Sequence, residues 1–287
     1  MAKVPLDSVA GLHVLVTGAA QGMGFLFAKQ ACLEGAARVI LWDIEKPKLE
    51  KTLAELRLLE ANVEAQVVDL ADPAQIQRYA QSAVDSGGVD VLVNNAGVIT
   101  GTSFDRHQAS QITATMHINA LAPMYLTHAL LPQLRRSGHG RVLTMASAAA
   151  LVSNPNMSVY AASKAAALSW SDSLRLELEA DDSIAVSTIC PTYISTGMFA
   201  GARSMLFTPI MEPQRVVDRA WRAMLAGQPL VLMPWTSKLG QLLRGVLPRP
   251  AWDFVADKVI GVYHSMDDFT GRENGEEPSG EVGLKVH

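Results

Sequence analysis

"LHVLVTGAAQGMG", residues 12–24, decides how the rest of the chain is read. The apolar run Leu12–Val16, interrupted only by His13, has the β-branched character of a buried strand and ends at Thr17. Gly18, Gly22 and Gly24 then punctuate a turn, and helical spacing follows from about Gly24. Glycines placed between a strand and a helix let backbone approach a pyrophosphate at the helix N-terminus, where unpaired N–H groups and the helix dipole favour an anion. Any tight strand-to-helix turn also favours glycine, so the next acidic residue matters. Asp43 supplies it at the end of "ARVILWD", where a carboxylate can accept hydrogen bonds from adenosine ribose hydroxyls and repel a 2′-phosphate. Asp43 is equally placed to cap the following helix. No arginine lies between Thr17 and Gly24 or next to Asp43, and the absence of basic residues around Asp43 points to NAD as cofactor.

Outward from this unit the same alternation continues. Apolar runs "EAQVVDL" ending at Leu70, "VDVLVNNAG" from Val89, "RVLTMAS" from Arg141, "IAVSTIC" from Ile184 and "PLVLM" from Pro229 are separated by helical patterns over 46–60, 73–86, about 108–137, 158–180 and 213–226. Runs apolar along their whole length indicate strands covered on both faces. The expectation is an α/β single-domain Rossmann fold over residues 1–270, a doubly wound parallel sheet of about seven strands with helices on both faces. Residues 271–287, polar and Gly-rich, read as a mobile tail.

Composition narrows the function. The 287 residues are 49% hydrophobic and 18% charged, with a formal net charge of −4. Lys and Arg are scattered rather than gathered on one face, which argues against a nucleic-acid partner. Cys32 and Cys190 lie in apolar segments far apart, as expected of free thiols in a reducing, cytoplasmic compartment. The N-terminus lacks the apolar core and cleavage site of a signal peptide, and no window reaches the roughly 18 consecutive apolar residues of a transmembrane span. His107, His117 and His128 show no ligand spacing with a second partner, so no metal site is expected.

The chemistry centres on "VYAASKAAAL", residues 159–168. This alanine-rich stretch reads as helix, which places Tyr160 and Lys164 on one face. Hydride transfer at an alcohol carbon requires a proton to leave or reach the oxygen, and a tyrosine can carry it if its pKa falls towards the working pH. A free phenol titrates near ~10, and a nearby ammonium favours phenolate; a depression of ~2 units would correspond to roughly 2.7 kcal/mol. Ser147 ends a strand, so its hydroxyl can reach a substrate oxygen at the carboxyl edge of the sheet.

With "TGAAQGMG", "NNAG" at 94–97, Ser147 and the Tyr160/Lys164 pair, the chain resembles the short-chain dehydrogenase/reductase family over about residues 10–235. The resemblance implies a nicotinamide cofactor and a catalytic tetrad of Asn119, in "HINALA", with Ser147, Tyr160 and Lys164. It also implies cofactor contacts from Gly18, Gln21, Gly22, Met23, Gly24, Asp43, Asp69, Leu70, Asn95, Ala96, Gly97, Tyr160, Lys164, Pro191 and Thr196. In this likeness Lys164 also holds the nicotinamide ribose, and Asn119 a water that links Lys164 to solvent. Thr192 stands where many members carry glycine. "LWDIE", "PTYISTGMF" and "SMDDFTGR" are similar to the branch of retinol and 17β-hydroxysteroid dehydrogenases, whose animal members often carry an N-terminal membrane anchor that these first residues do not show.

Two segments fall outside the alternation. In residues 192–212, Tyr193, Met198, Phe199, Met205, Leu206, Phe207 and Met211 make an unusually apolar connection. A lid over a lipophilic substrate is expected, with Tyr193, Met198 and Met205 joining Ser147 and Tyr160 as substrate-binding residues; the alternative is a helix packed permanently on the core. Residues 235–265 read as a C-terminal helical cover, although "KLGQLLRGVLPRP" would equally suit a subunit contact or a lipid surface. Small residues in "NALAPMYLTHALL" and "SVYAASKAAALSW" suggest a homodimer or homotetramer through those helices. The functional expectation is NAD(H)-dependent interconversion of a lipophilic alcohol (steroid, retinoid or long-chain) and its carbonyl. The alternatives are a small polar alcohol or polyol as substrate, or a catalytically silent NAD-binding regulator.

Overall fold

The computed structural model describes residues 5–271 except Phe207, so the tail from 272 onward and Phe207 lie outside the described residues. The opening turn joins β1 (His13–Thr17) to α1 (Gly22–Leu33), two residues earlier than the sequence suggests. β2 (Arg38–Asp43), α2 (Lys46–Arg57), β3 (Val63–Val67), α3 (Pro73–Asp85) and β4 (Val91–Asn94) complete the first half. The second half runs α4 (Ala109–Met116), α5 (Ala122–Arg136), β5 (Gly140–Met145), α6 (Ser158–Glu177), β6 (Ile184–Pro191), α7 (Pro213–Leu225) and β7 (Leu230–Met233), followed by α8 (Thr236–Val246) and α9 (Arg249–Phe254). The seven strands pair in parallel in the order β3-β2-β1-β4-β5-β6-β7. Strand order reverses between β1 and β4, and the crevice above their carboxyl ends is where ligands of open α/β sheets bind.

Side-chain alternation divides the core into two layers. Val14, Val16, Val39, Leu41 and Val93 point towards Phe27, Leu49, Val217 and Trp221 on one face. Leu15, Ile40, Trp42 and Leu92 point towards Ile76, Leu126, Leu130 and Leu174 on the other. The strands are therefore covered on both sides, as their composition requires, except at the two sheet edges, where Val67 of β3 and Leu230 of β7 are exposed. β3 stops at Val67 rather than Leu70. Asp69 and Leu70 thereby leave the ladder and face the crevice.

The long helix expected over 108–137 is interrupted. A π-helical turn, His117–Leu121, separates α4 from α5 just before Pro123, which has no N–H to contribute to a regular ladder. Among the described residues of 192–212 none is helical. They make turns strapped to the C-terminal segment, with Arg203 N donating to Ser265 O at 2.9 Å, Leu206 N to Ile260 O at 3.1 Å and Thr270 N to Ala200 O at 3.0 Å. Gly201 is at φ +80°, and a Cβ there would strike the Asp268 carbonyl. In the segment 235–265, Leu243, Trp252, Ala256 and Val262 pack inward, while Trp235, Leu242, Val246 and Phe254 stay exposed. Among the described residues no helix is long and apolar enough to cross a membrane, and both cysteines are buried free thiols.

Candidate active site

The glycine-rich turn is laced to the end of β4. Thr17 Oγ1 accepts from Asn95 N at 3.0 Å and Ala96 N at 3.1 Å, and Asn95 Nδ2 donates to Thr17 O at 2.9 Å. Gly18, at φ +64°, lies so close to this turn that a Cβ would come within 2.9 Å of Ala96 Cα. Gly24 does not line the crevice. It is buried beneath the turn, where a Cβ would run into the Gly18 carbonyl, so its part is to let α1 pack against the turn rather than to touch a ligand.

Asp43 has a double engagement. One carboxylate oxygen accepts from Ala20 N at 2.9 Å and the other from Glu45 N at 3.0 Å, so the residue holds both the glycine turn and the entry to α2. The expected absence of basic residues nearby does not hold: Lys48, one turn into α2, lines the same wall, with Nζ 3.9 Å from Glu45. Lys48 follows Asp43 by five residues in the sequence, and the first turn of α2 sets both in the crevice wall.

A crevice of about 370 Å³ runs along the carboxyl edge of the sheet. It is lined by Gly18, Gln21, Gly22 and Met23 of the turn, then Asp43, Asp69 and Leu70, Asn95 to Gly97, Ser147, Tyr160, Lys164, Pro191 and Thr196. The backbone-floored cradle at the N-terminus of α1 and the carboxylate at the end of β2 fit the two ends of a dinucleotide's phosphate and ribose chemistry. Met198, expected to touch substrate, lines this crevice instead of the apolar cavity. The turn at Gly197, φ +82°, carries it to the cofactor side.

At the centre of the crevice, Tyr160 and Lys164 stand one turn apart on α6, each only 4% exposed. Lys164 Nζ donates to Met145 O at 2.7 Å and lies 5.9 Å from the centre of the Tyr160 ring. Ser147, just beyond β5, has its hydroxyl hydrogen-bonded to Tyr160 and accepts from Ala149 N at 3.1 Å. Asn119 is not solvent-facing. It is fully buried in the π turn, where Oδ1 accepts from Val98 N at 2.8 Å and Nδ2 donates to Val98 O at 2.8 Å and Ser163 Oγ at 3.0 Å. It meets Lys164 across Gly97, where a Cβ would lie 3.2 Å from Asn119 Oδ1 and 3.4 Å from Lys164 Nζ.

The expected depression of the Tyr160 pKa is not what the protein alone produces. Burial pushes the phenol up to about 12, with the Ser147 hydrogen bond opposing it, and burial pulls the Lys164 ammonium down to about 8. Proximity in a helix suggested attraction between charges, but desolvation, which disfavours each charged form, is the largest cause at both residues.

A second, apolar cavity of about 280 Å³ opens beside the crevice, and Ser147, Thr192 and Phe199 line both. Its wall includes Leu151, Tyr193, Met205 and Leu206, closed from above by Leu239, Leu243 and Trp252. Tyr193 and Met205, named from the sequence, lie in this wall, and so do Asn154 and Trp252, which the sequence does not mark out: neither a loop asparagine nor a helix tryptophan carries a sequence signal of its own.

The doubly wound sheet, the glycine turn and the Ser147/Tyr160/Lys164 cluster at its carboxyl edge define an oxidoreductase that works with a nicotinamide cofactor. The profile described as short chain dehydrogenase matches residues 12–206, and the chain belongs to that family. It is 36% identical over 245 residues to human estradiol 17-beta-dehydrogenase 11, covering 84% of this chain and 81% of that protein. Mouse epidermal retinol dehydrogenase 2 is 33% identical over 275 residues, covering 94% and 88%. Among solved structures, a Burkholderia phymatum short-chain dehydrogenase/reductase in complex with NAD shares the fold, with a TM-score of 0.76 at 23% identity over 84% of this chain and 95% of the other. A metagenomic short-chain oxidoreductase in complex with NADP has a TM-score of 0.67 at 27% identity, covering 79% and 97%.

Proposed function

We propose that the protein interconverts a lipophilic primary or secondary alcohol and its carbonyl, using NAD(H). The observation that carries this reading is the apolar cavity joined to the cofactor crevice through Ser147, Thr192 and Phe199. A substrate in that cavity has its reactive oxygen beside the Ser147 and Tyr160 hydroxyls. Ser147 orients that oxygen by hydrogen bonding, Tyr160 exchanges its proton, and Lys164 supplies positive charge next to the phenol. Asn119 acts by holding Val98 and bordering Lys164. The crevice residues would hold an oxidised nicotinamide, which would supply the hydride acceptor and positive charge near Tyr160.

Asp43 supports NAD over NADP, since a fixed carboxylate on that wall repels a 2′-phosphate; Lys48 weakens the preference without removing it. The relatives named for estradiol and retinol support a lipophilic substrate, and the cavity is too apolar to replace the hydration of a polyol. Buried free thiols suit a cytoplasmic setting. We also infer self-association as a homodimer or homotetramer through α5 and α6, where Tyr125 and Leu176 remain exposed. A fluorimetric screen for NADH formation across steroids, retinoids, long-chain alcohols and small polyols tests the substrate class. Preference for small polyols overturns it.

A further inference from the structure

The apolar cavity meets the surface at a rim of apolar side chains. Leu206 of the 192–212 connection, Leu239 of α8 and Val259 of the π-helical turn Val255–Ile260 all line the cavity, and each is close to half exposed. A mouth facing water would be expected to carry polar groups, since exposed leucine and valine keep apolar area hydrated.

The rim continues along α8. Trp235 at its N-cap, Leu239, Leu242 and Val246 succeed one another at helical spacing and form one outward stripe, with Trp235 70%, Leu242 61% and Val246 72% exposed. The inner face of the helix is already engaged, because Thr236, Gly240 and Leu243 border the cavity. Charge on this segment is one-sided. Residues 235–252 contain Lys238, Arg244 and Arg249, all exposed, and no acidic residue, in a chain of net charge −4. Lys238 stands three residues from Trp235 and four from Leu242, on the flank of the stripe. Arg244 reaches the Leu151 carbonyl. The next carboxylates along the chain are paired: Asp253 accepts from Tyr263 OH at 2.6 Å, and Asp257 meets Lys258 and His264 at 2.8 Å each.

We propose that α8 docks on an anionic lipid bilayer, with Trp235, Leu239, Leu242 and Val246 in the interface and its cations among the headgroups, and that substrate enters the cavity from the bilayer past Leu206, Leu239 and Val259. The docking stands on the surface itself, and the entry route rests on the lipophilic alcohol/carbonyl reading. Tryptophan at the head of an apolar stripe with basic residues beside it is the composition of a helix lying in a membrane interface. A second copy of the chain fits less well. Stripe against stripe would bring two basic segments together and seal the mouth that Leu239 borders, whereas a bilayer offers that mouth an apolar phase.

Flotation of the full chain with lipid vesicles tests the docking. The wild type is expected to float with vesicles of phosphatidylcholine and phosphatidylserine about tenfold more than with phosphatidylcholine alone, and to be released by salt. Leu242→Glu with Val246→Glu, at two exposed positions outside the cavity wall, should lose flotation while keeping the circular dichroism of the wild type. Lys238→Glu retains the stripe and should remove the preference for anionic lipid, which keeps the test decisive if the double variant does not fold. Flotation of the double variant at the wild-type level overturns the docking, and so does a wild type that floats with neither vesicle. A dimer that the two glutamates dissociate, without flotation, gives the stripe to a second copy instead. For the entry route, 1-dodecanol supplied in anionic vesicles should show about tenfold lower kcat/KM with the double variant, while 1-hexanol in vesicle-free buffer is used equally by both. Equal use of vesicle-borne dodecanol overturns the entry route. No turnover of either alcohol by the wild type removes the entry route together with the proposed activity, and flotation still decides the docking.

Discussion

Lys164→Met isolates what burial does to the amine at the centre of the site. The ammonium is almost wholly enclosed, donates to the Met145 carbonyl at 2.7 Å, and has its pKa pulled from 10.5 to about 8. The unfolded chain holds that proton more tightly than the folded one, so this residue makes stability rise with pH across the window from about 8 to 10.5. A difference of that size corresponds to on the order of 3 kcal/mol of cost at pH 7, recovered as the amine is neutralised. Methionine has similar length and no charge. Its cost is the Met145 carbonyl left without its donor, roughly 1–2 kcal/mol.

Lys164→Met should therefore be at least as stable as the wild type at pH 7, and its advantage should shrink by roughly 2 kcal/mol by pH 10. Urea unfolding followed by tryptophan fluorescence at pH 7, 8, 9 and 10 measures the difference. Taking the difference matters because Cys190 on β6 and Tyr160 on α6, each pushed up to about 12 by burial, have the opposite dependence. Their unfolded forms ionise first, so both erode stability as pH rises. A stability difference that stays flat from pH 7 to 10 would refute the claim that desolvation dominates at Lys164.

Tyr160→Phe is expected to keep NAD binding, measured by NADH fluorescence, and to lose at least about 10²-fold in turnover; retention of more than a tenth of the activity would falsify its role as proton carrier. The wild type should use NAD more efficiently than NADP, and Asp43→Asn should narrow the gap, with Lys48 left beside the ribose end; equal or better wild-type use of NADP sinks the assignment. Hydrogen exchange should show residues 198–206 gaining protection when NAD and an apolar alcohol bind together, beyond that given by the backbone straps to 260–270; unchanged exchange means a fixed wall instead of a lid. Light scattering at micromolar concentration is expected to give a dimer or tetramer, and a monomer rules out the contact through α5 and α6.

Much of the scaffold was legible because it depends on local signals. Apolar runs such as "HVLVT" and "RVILWD" have to be buried on two faces, and the glycines at 18 and 22 sit at positive φ where the turn requires them. What escaped depends on three-dimensional context. The π turn at Asn119 has nearly the same apolar spacing as a regular helix, so periodicity cannot register it. Met198 and Met205 are chemically alike, yet one faces the cofactor crevice and the other the apolar cavity, a distinction made by the turn at Gly197. Asn154, in "VSNPNMS", looks like any polar loop residue until Tyr193 and Ser265 close around its amide.

The same desolvation links the chemistry to the choice of substrate. Tyr160 and Lys164 are both displaced towards neutrality because little water reaches them, and in such surroundings a positive charge brought close to the phenol acts through a lower effective dielectric than it would in water. That strengthens the influence of Lys164 on the phenol only as long as the cavity beside it also excludes water. A polyol would carry hydration into the cavity or lose it without replacement, because the wall is predominantly apolar. An apolar skeleton keeps the site dry. On the proposed reading, preference for an apolar substrate and proton transfer depend on one condition, the exclusion of water between α6 and the segment 235–265 that closes the cavity.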